Sequence, residues 1–498
     1  MKYIYLLAIA FFTVSCGGGK TDGKTQNSTK KKPNVVFIFT DDQTYTSIHA
    51  LGNKEIKTPA LDSFVEEGTT FTHAYNMGAW NGAVCAASRA MMNSGRTVWR
   101  VNKFRKNWKK KDSLNMSWAK LMESEGYNTY MTGKWHVDAN AEDLFQNVVH
   151  VRPGMPHDAW GGHKRKGGIE KGEPVPIGYG RPKNENDTIW KPWDKKFRGF
   201  WEGGTHWSEV VRQDAIGFID QAKQKEDPFF MYLAFNAPHD PRQAPQEYVD
   251  MYPLENISVP VSYQDEYPFR HSIRNGDYLR DEMLAPMPRT EYAVKVHRQE
   301  YYAAISHVDA QIGMIVDALK KSGKMDNTYI IMTSDHGLAM GRHGFMGKQN
   351  LYDHSIRPPM IILGPDIPKN QKVDADVYLQ DVMATALEIG GVEKPAYIEF
   401  NSFLSLAKGE RKESHYDAIY GAYLTVQRMI RKDGYKLLVY PEIDKVLLYN
   451  LNEDPEEMND LAADPAQKER IKTLFSGLMQ LQKDLDDTLD LSELYAKL

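Results

Sequence analysis

Four apolar runs of this chain end in residues able to do chemistry. NVVFIFT (34–40) runs into Asp41 and Asp42, FFMYLAF (229–235) into Asn236-Ala237-Pro238-His239, and YIIMT (329–333) into Ser334-Asp335-His336-Gly337. A weaker run, 127–132, leads to Gly133-Lys134-Trp135-His136. Asp41, Asp42 and Asp335 are hard oxygen donors, and three carboxylates gathered in a dry cleft repel one another unless a cation neutralises them. Oxygen-dominated ligation points to calcium or magnesium rather than zinc, with His336 able to add a nitrogen. Taken alone, Asp41-Asp42 reads as a loop or helix cap, and Lys134 and His136 read as a snorkelling lysine and a core histidine. Their recurrence at strand ends is what gives them a functional reading.

Those strand ends need a frame that brings them together. Apolar runs without alternation are strands buried on both faces of a parallel sheet, and helical patterns lie between them, such as 58–67 and 298–321. The chain therefore reads as α/β, with a large, mostly parallel central sheet flanked by helices. In such sheets ligands sit beyond the carboxyl ends of the strands, so distant segments deliver Asp, Lys and His side chains to one edge.

The N-terminus reads as a signal peptide over 1–16, an apolar run too short to span a bilayer that ends in the lipobox-like Ser15-Cys16. Cys16 is then the lipidated first mature residue, and 17–32, polar and rich in Gly, Lys, Ser and Thr, is a flexible tether. The expected location is the periplasm or an outer-membrane lipoprotein, with the membrane engaged through the lipid anchor. With only two cysteines in the sequence, a lipidated Cys16 leaves Cys85 without a partner in a compartment that permits disulfides. Cys85 is either a buried inert thiol or a reactive group. A net charge of −4 and the lack of a Lys/Arg stripe argue against nucleic acid as a partner.

Cys85-Ala86-Ala87-Ser88-Arg89, continuing through Asn93-Ser94-Gly95-Arg96, resembles the signature C-x-P-S-R-x-x-x-L-T-G of the formylglycine-dependent (type I, arylsulfatase-like) sulfatases of the alkaline-phosphatase superfamily. Ala87 stands where proline is usual, and Asn93-Ser94 replaces Leu-Thr. PNVVFIFTDD, GKWH, APH, SDHG and GKQNLYDHSIRPP follow in sulfatase order. The resemblance implies that a maturation enzyme oxidises Cys85 to formylglycine, whose hydrate supplies the attacking hydroxyl. It implies a metal site of Asp41, Asp42, Cys85, Asp335 and His336, with His336 in a position where asparagine is frequent, and calcium as the cation ahead of magnesium. Arg89 would hold the hydrate, Lys134 and His136 would contact nucleophile and sulfate, and His239 and Lys348 would face the sulfate and the leaving oxygen. His239 would donate the proton and His136 would act as base when sulfate departs.

The catalytic domain is expected over 33–395. From 396 to 498 the pattern changes to alternating strands over 427–440 and 446–451, followed by an amphipathic helix at about 464–483. This resembles the small C-terminal subdomain of sulfatases, with its own apolar interior expected. An excursion over 150–210 carries His157, Trp160, His163, Arg165, Trp190, Trp193, Arg198, Trp201, His206 and Trp207, which could wall a sugar site or simply pack it. The expected substrate is an O-sulfated carbohydrate, such as a host mucin glycan, a glycosaminoglycan or an algal polysaccharide. The rivals are a phosphomonoesterase or phosphonate hydrolase on the same fold, a choline or aryl sulfatase, and a non-catalytic relative that binds sulfated glycans.

Overall fold

The computed structural model describes residues 31–156, 184–276 and 279–498. The leader with Cys16, tether residues 17–30, and His157, Trp160, His163 and Arg165 lie outside them. Lys32 to Leu498 form one compact unit.

Eight strands make the central sheet, in the order Gln371–Val373, Thr69–Phe71, Met360–Leu363, Thr328–Ser334, Asn34–Thr40, Phe229–Ala234, Asn128–Lys134 and Asn147–Arg152. Only Met360–Leu363 runs against the rest. The apolar runs sit in the middle of the sheet because both their faces are covered. Val35, Phe37 and Phe39 point into one apolar cluster, and Val36 and Ile38 into the other. The second cluster is roofed by the helices Pro59–Glu67, Trp207–Ala222 and Glu291–Lys321. The last begins earlier than its apolar periodicity suggests, because the Thr290 side chain accepts the Ala293 N–H and caps it.

The helices Val84–Ser94, Trp118–Ser124 and Asp381–Gly390 cover the first face. Beyond them lies a five-stranded sheet in which Ile419–Tyr423, Gln427–Lys432, Tyr435–Tyr440 and Lys445–Asn450 are antiparallel neighbours, with the helix Lys468–Asp484 packed on it through Leu474, Phe475 and Leu478. Its fifth strand, Gly78–Ala79, comes from just ahead of Cys85 and pairs in parallel with Ile419–Tyr423. A Cβ at Gly78, where φ is +93°, would run into the Ala422 carbonyl, so the junction requires glycine. The C-terminal sheet and helix were legible in the sequence, but a separate interior for them is not what forms. Leu437, Leu448 and Phe475 belong to the same apolar cluster as Phe37 and Met91.

Candidate active site

The strands ending in Ser334, Thr40, Ala234 and Lys134 are four consecutive neighbours in the sheet. Their register sets Thr40 beside Ser334, Phe39 beside Ala234, and Gly133 beside Ala234. Asp41, Asp42, Asp335, His239 and Lys134 therefore leave the sheet at one edge. Asp42 takes a left-handed conformation (φ 66°), and the Tyr301 hydroxyl secures the turn by donating to Asp42 O at 2.7 Å and accepting from Thr44 N at 2.9 Å. Cys85 lies in the first turn of Val84–Ser94, whose small residues let it pack against the sheet edge, and Gly95 ends that helix in the left-handed region (φ 67°).

These side chains converge. One ligand atom from each of Asp41, Asp42, Cys85 and Asp335 lies within 4.8 Å of the others, and Asp41, Cys85 and His239 form a second such group. Asp41, Asp335, Arg89, Lys134 and His336 have no exposed surface, and Cys85, His239 and Lys348 retain only 3–4%. Arg89 Nε donates to Asp335 Oδ2 at 2.9 Å and its Nη1 to the Lys134 carbonyl at 2.9 Å. Lys134 pairs with Asp41, while Lys348 pairs with Asp42 and sits 2.9 Å from Cys85 Sγ. His239 Nε2 lies 3.7 Å from Asp42 Oδ2, and its Nδ1 faces the Asp240 carbonyl at 2.7 Å. That carbonyl assigns the ring proton to Nδ1 and turns Nε2 toward the cluster.

Charge explains the pairing. Burial, with repulsion from Asp335, holds Asp41 well above the usual carboxylate range, and burial raises Asp42 as well. Burial also penalises the Asp335 charge, but Arg89 and Lys134 outweigh it and keep Asp335 ionised. Asp41 Oδ1 is buried with no hydrogen-bond donor. An oxygen-rich donor set with an unsatisfied carboxylate oxygen and two acids raised by burial and by the Asp335 charge suits a hard divalent cation. Burial pushes the Cys85 thiol up and lowers His239 and His136, the latter to about 3, so the thiol and both rings are neutral here.

Of the five expected metal ligands, the structure brings four together. His336 belongs to neither donor group: its Nε2 faces Asn76 Nδ2 at 3.4 Å, and the same Asn76 amide donates to the Asp335 carbonyl at 2.6 Å. Asn76 went unnoticed in the sequence, as did Tyr301, because neither belongs to a strand-end motif. His136 reaches the edge with φ 56°, and its ring packs on Gly154, where a Cβ would come within 2.6 Å of the imidazole. In the 150–210 excursion the described tryptophans mostly pack inward. Trp190 donates to Glu300 and Trp201 to the Pro192 carbonyl, and His206 accepts the Ser208 N–H to cap the helix that Trp207 begins.

Residues 33–392 match the sulfatase family model, and residues 341–484 match the model of the N-sulphoglucosamine sulphohydrolase C-terminal region. The N-acetylglucosamine-6-O-sulfatase of Bacteroides thetaiotaomicron is 26% identical, covering 93% of this chain and 88% of its own. A protein solved with its substrate D-glucosamine-2-N,6-O-disulfate shares the fold, with TM-score 0.71 and 22% identity over 92% of this chain and 99% of that one. So does the phosphonate monoester hydrolase of Agrobacterium radiobacter, with TM-score 0.68 and 20% identity over 91% and 96%. With the family match spanning the whole carboxylate, cysteine and lysine cluster, this chain belongs to the sulfatase family and is a sulfuric ester hydrolase.

Proposed function

We propose that this sulfatase releases sulfate from O-sulfated carbohydrates outside the cytoplasm, using an oxidised Cys85 and a divalent cation, calcium ahead of magnesium. The observation that carries the reading is the buried convergence of Asp41, Asp42, Cys85 and Asp335 with Arg89, Lys134, His239 and Lys348. Asp41, Asp42, Asp335 and residue 85 would hold the cation, which neutralises the carboxylates and polarises sulfate oxygens. Formylglycine at position 85, as its hydrate, would supply the attacking hydroxyl, and a maturation enzyme would have to install it.

The chain's own residues do the rest. Arg89, locked between Asp335 and the Lys134 carbonyl, holds the first turn of the Cys85 helix against the carboxylates. With the charge of Asp41 and Asp42 taken up by a cation, Lys134 would be free to bind sulfate oxygens and Lys348 to reach the leaving-group oxygen. Lys348 and His239 flank the Cys85 side of the cluster, where they act on the leaving-group oxygen. His239 donates through Nε2 once the anionic ester brings a proton onto the ring, and the Lys348 ammonium is the second donor at that oxygen. His136, neutral in its buried position, accepts a proton as sulfate leaves.

A sugar substrate is supported by the glucosamine-directed names of the N-acetylglucosamine sulfatase and of the structure solved with a disulfated glucosamine. Lipidation at Cys16 would tether the enzyme at a membrane after export. The phosphonate hydrolase neighbour keeps one second reading in play, since phosphonate and sulfate monoesters call for similar charge stabilisation. Initial rates on a panel of sulfated monosaccharides, including N-acetylglucosamine 6-sulfate, beside matched phosphate and phosphonate esters decide between them. Faster sulfate release, abolished in Cys85→Ala, supports the proposal, and preferred turnover of phosphonate would overturn it.

A further inference from the structure

Two of the groups assigned to the leaving oxygen come from different segments, His239 from the loop after Phe229–Ala234 and Lys348 from a turn 109 residues further on. A third segment joins them. In the short helix Arg280–Met283, Asp281 and Glu282 are 4% and 3% exposed, which is unusual for adjacent acids. Glu282 pairs with Arg289 and holds the Lys348 segment, and Asp281 connects that segment to the His239 loop. Glu282 accepts the Met346 N–H at 3.1 Å and the Gly347 N–H at 2.9 Å, gripping the turn just ahead of Lys348. Asp281 accepts from the Gln349 amide, whose oxygen in turn accepts the Lys348 N–H at 3.0 Å. On its other oxygen Asp281 pairs with Arg280, which donates to Asp240 Oδ2 at 2.6 Å, and the Asp240 carbonyl orients the His239 ring.

The contact is close as well as polar. A Cβ on Gly347 would meet the Asp281 Cβ at 2.7 Å, so the turn and the helix approach as only glycine permits. The Gln349 carbonyl is held independently by Gln427 at 2.9 Å and Asn275 at 3.1 Å, so the Gln349 backbone stays fixed while its side chain links Asp281 to the Lys348 N–H.

We propose that Asp281, acting through Arg280 on one side and Gln349 on the other, is a positioning residue that fixes His239 and Lys348 relative to each other across the leaving-group oxygen. The proposal rests on the reading that these two groups act at that oxygen. It makes a directional prediction because Asp281 is purely an acceptor and the Gln349 amide nitrogen purely a donor. Asp281→Asn has one oxygen for two donors, so with that oxygen kept on the Arg280 guanidinium its amide nitrogen faces the Gln349 amide nitrogen, and Gln349→Glu sets carboxylate against carboxylate. The double variant restores the bond with its polarity reversed: Asn accepts from Arg280 and donates to Glu, which still accepts the Lys348 N–H.

The test is kcat and KM for the two single variants, the double variant and His239→Asn, each with its melting temperature, on N-acetylglucosamine 6-sulfate and on 4-nitrophenyl sulfate, whose leaving phenolate needs little protonation. Each single variant is expected to lose about 10- to 100-fold in kcat on the sugar sulfate with KM within about 3-fold, to lose about 3-fold or less on the aryl sulfate, and to be largely restored in the double variant. Single variants with undiminished kcat, equal losses on both substrates, or a double variant no better than the worse single would overturn the proposal. His239→Asn separates the two levels. If it shows the leaving-group dependence and Asp281→Asn does not, only the positioning role fails, whereas equal losses on both substrates for His239→Asn remove the reading beneath it as well.

Discussion

Asp41, Asp42 and Asp335 hold their carboxylates where no water reaches, and in the described residues the countercharge comes from Arg89, Lys134 and Lys348. Three basic groups against three acids is a balanced but frustrated cluster, because the lysines that neutralise the carboxylates are the same ones a sulfate would need. A divalent cation relieves that conflict. Stripping with a chelator is therefore expected to cut sulfate release at least about 100-fold and lower the melting temperature, with calcium restoring both better than zinc. Equal restoration by zinc would contradict the oxygen-ligand account. Arg89→Lys keeps the charge but cannot reach Asp335 and the Lys134 carbonyl together, so kcat should fall about 10²-fold or more while the fold survives. Most of these residues were legible in the sequence because they sit one or two positions past an apolar strand. Asn76, Tyr301, Asp281 and Gln349 were not, since none follows one of the four apolar runs and each acts on the site only through a neighbour that the fold brings to it.

The long helix Glu291–Lys321 shows what an element does for the site from a distance. Midway along it, Asp309 accepts the Leu61 N–H at 2.7 Å and the Ala60 N–H at 3.1 Å, capping the helix Pro59–Glu67 from outside. Burial pushes this carboxyl up to about 7, the two backbone donors pulling it down and Asp62 pushing it further up. A folded pKa above the unfolded one means that Asp309 contributes stability fully present below about pH 4 and lost as pH rises to 7. Asp309→Asn should therefore gain stability relative to the native protein between pH 4 and 7, by up to about 4 kcal/mol, and keep a constant difference above pH 8. Denaturant titrations of both proteins across that range check it, and parallel stability curves would refute it. A second element-scale bond ties the turn after Lys348 to the C-terminal sheet. Lys436, fully buried on Tyr435–Tyr440, pairs with Asp353 and lies 2.8 Å from Glu457. Lys436→Ala removes the cation beside buried Glu457 and leaves Asp353 with Arg357, and should cost about 3–5 kcal/mol in urea unfolding. Strand positions are readable from unbroken β-branched and aromatic runs, whereas short pieces such as Thr69–Phe71 and Gln371–Val373 are set by their pairing at the sheet's edge and carry little local signal.

At the scale of the whole molecule, one apolar cluster runs from the central sheet to the C-terminal helix, and Gly78–Ala79 stitches the segment preceding Cys85 into the second sheet. The C-terminal region is thus part of the catalytic body. A chain ending at 395 should be insoluble or molten rather than an active core, and Gly78→Ala should reduce both folded yield and activity, as soluble expression and near-UV circular dichroism would show. A folded, active truncation would contradict the shared interior. The sequence hid this arrangement because a two-residue strand and a common core leave no boundary to see. At every scale the proposed nucleophile is the buried Cys85, which lies beside three carboxylates and has no disulfide partner among the described residues. Peptide mass spectrometry across Cys85, on protein made in a host that matures sulfatases and paired with sulfate release from sulfated sugars, tests it most directly. Formylglycine at position 85, with release that vanishes in Cys85→Ala, is the predicted result, and an unmodified thiol in a protein that still releases sulfate would contradict the account.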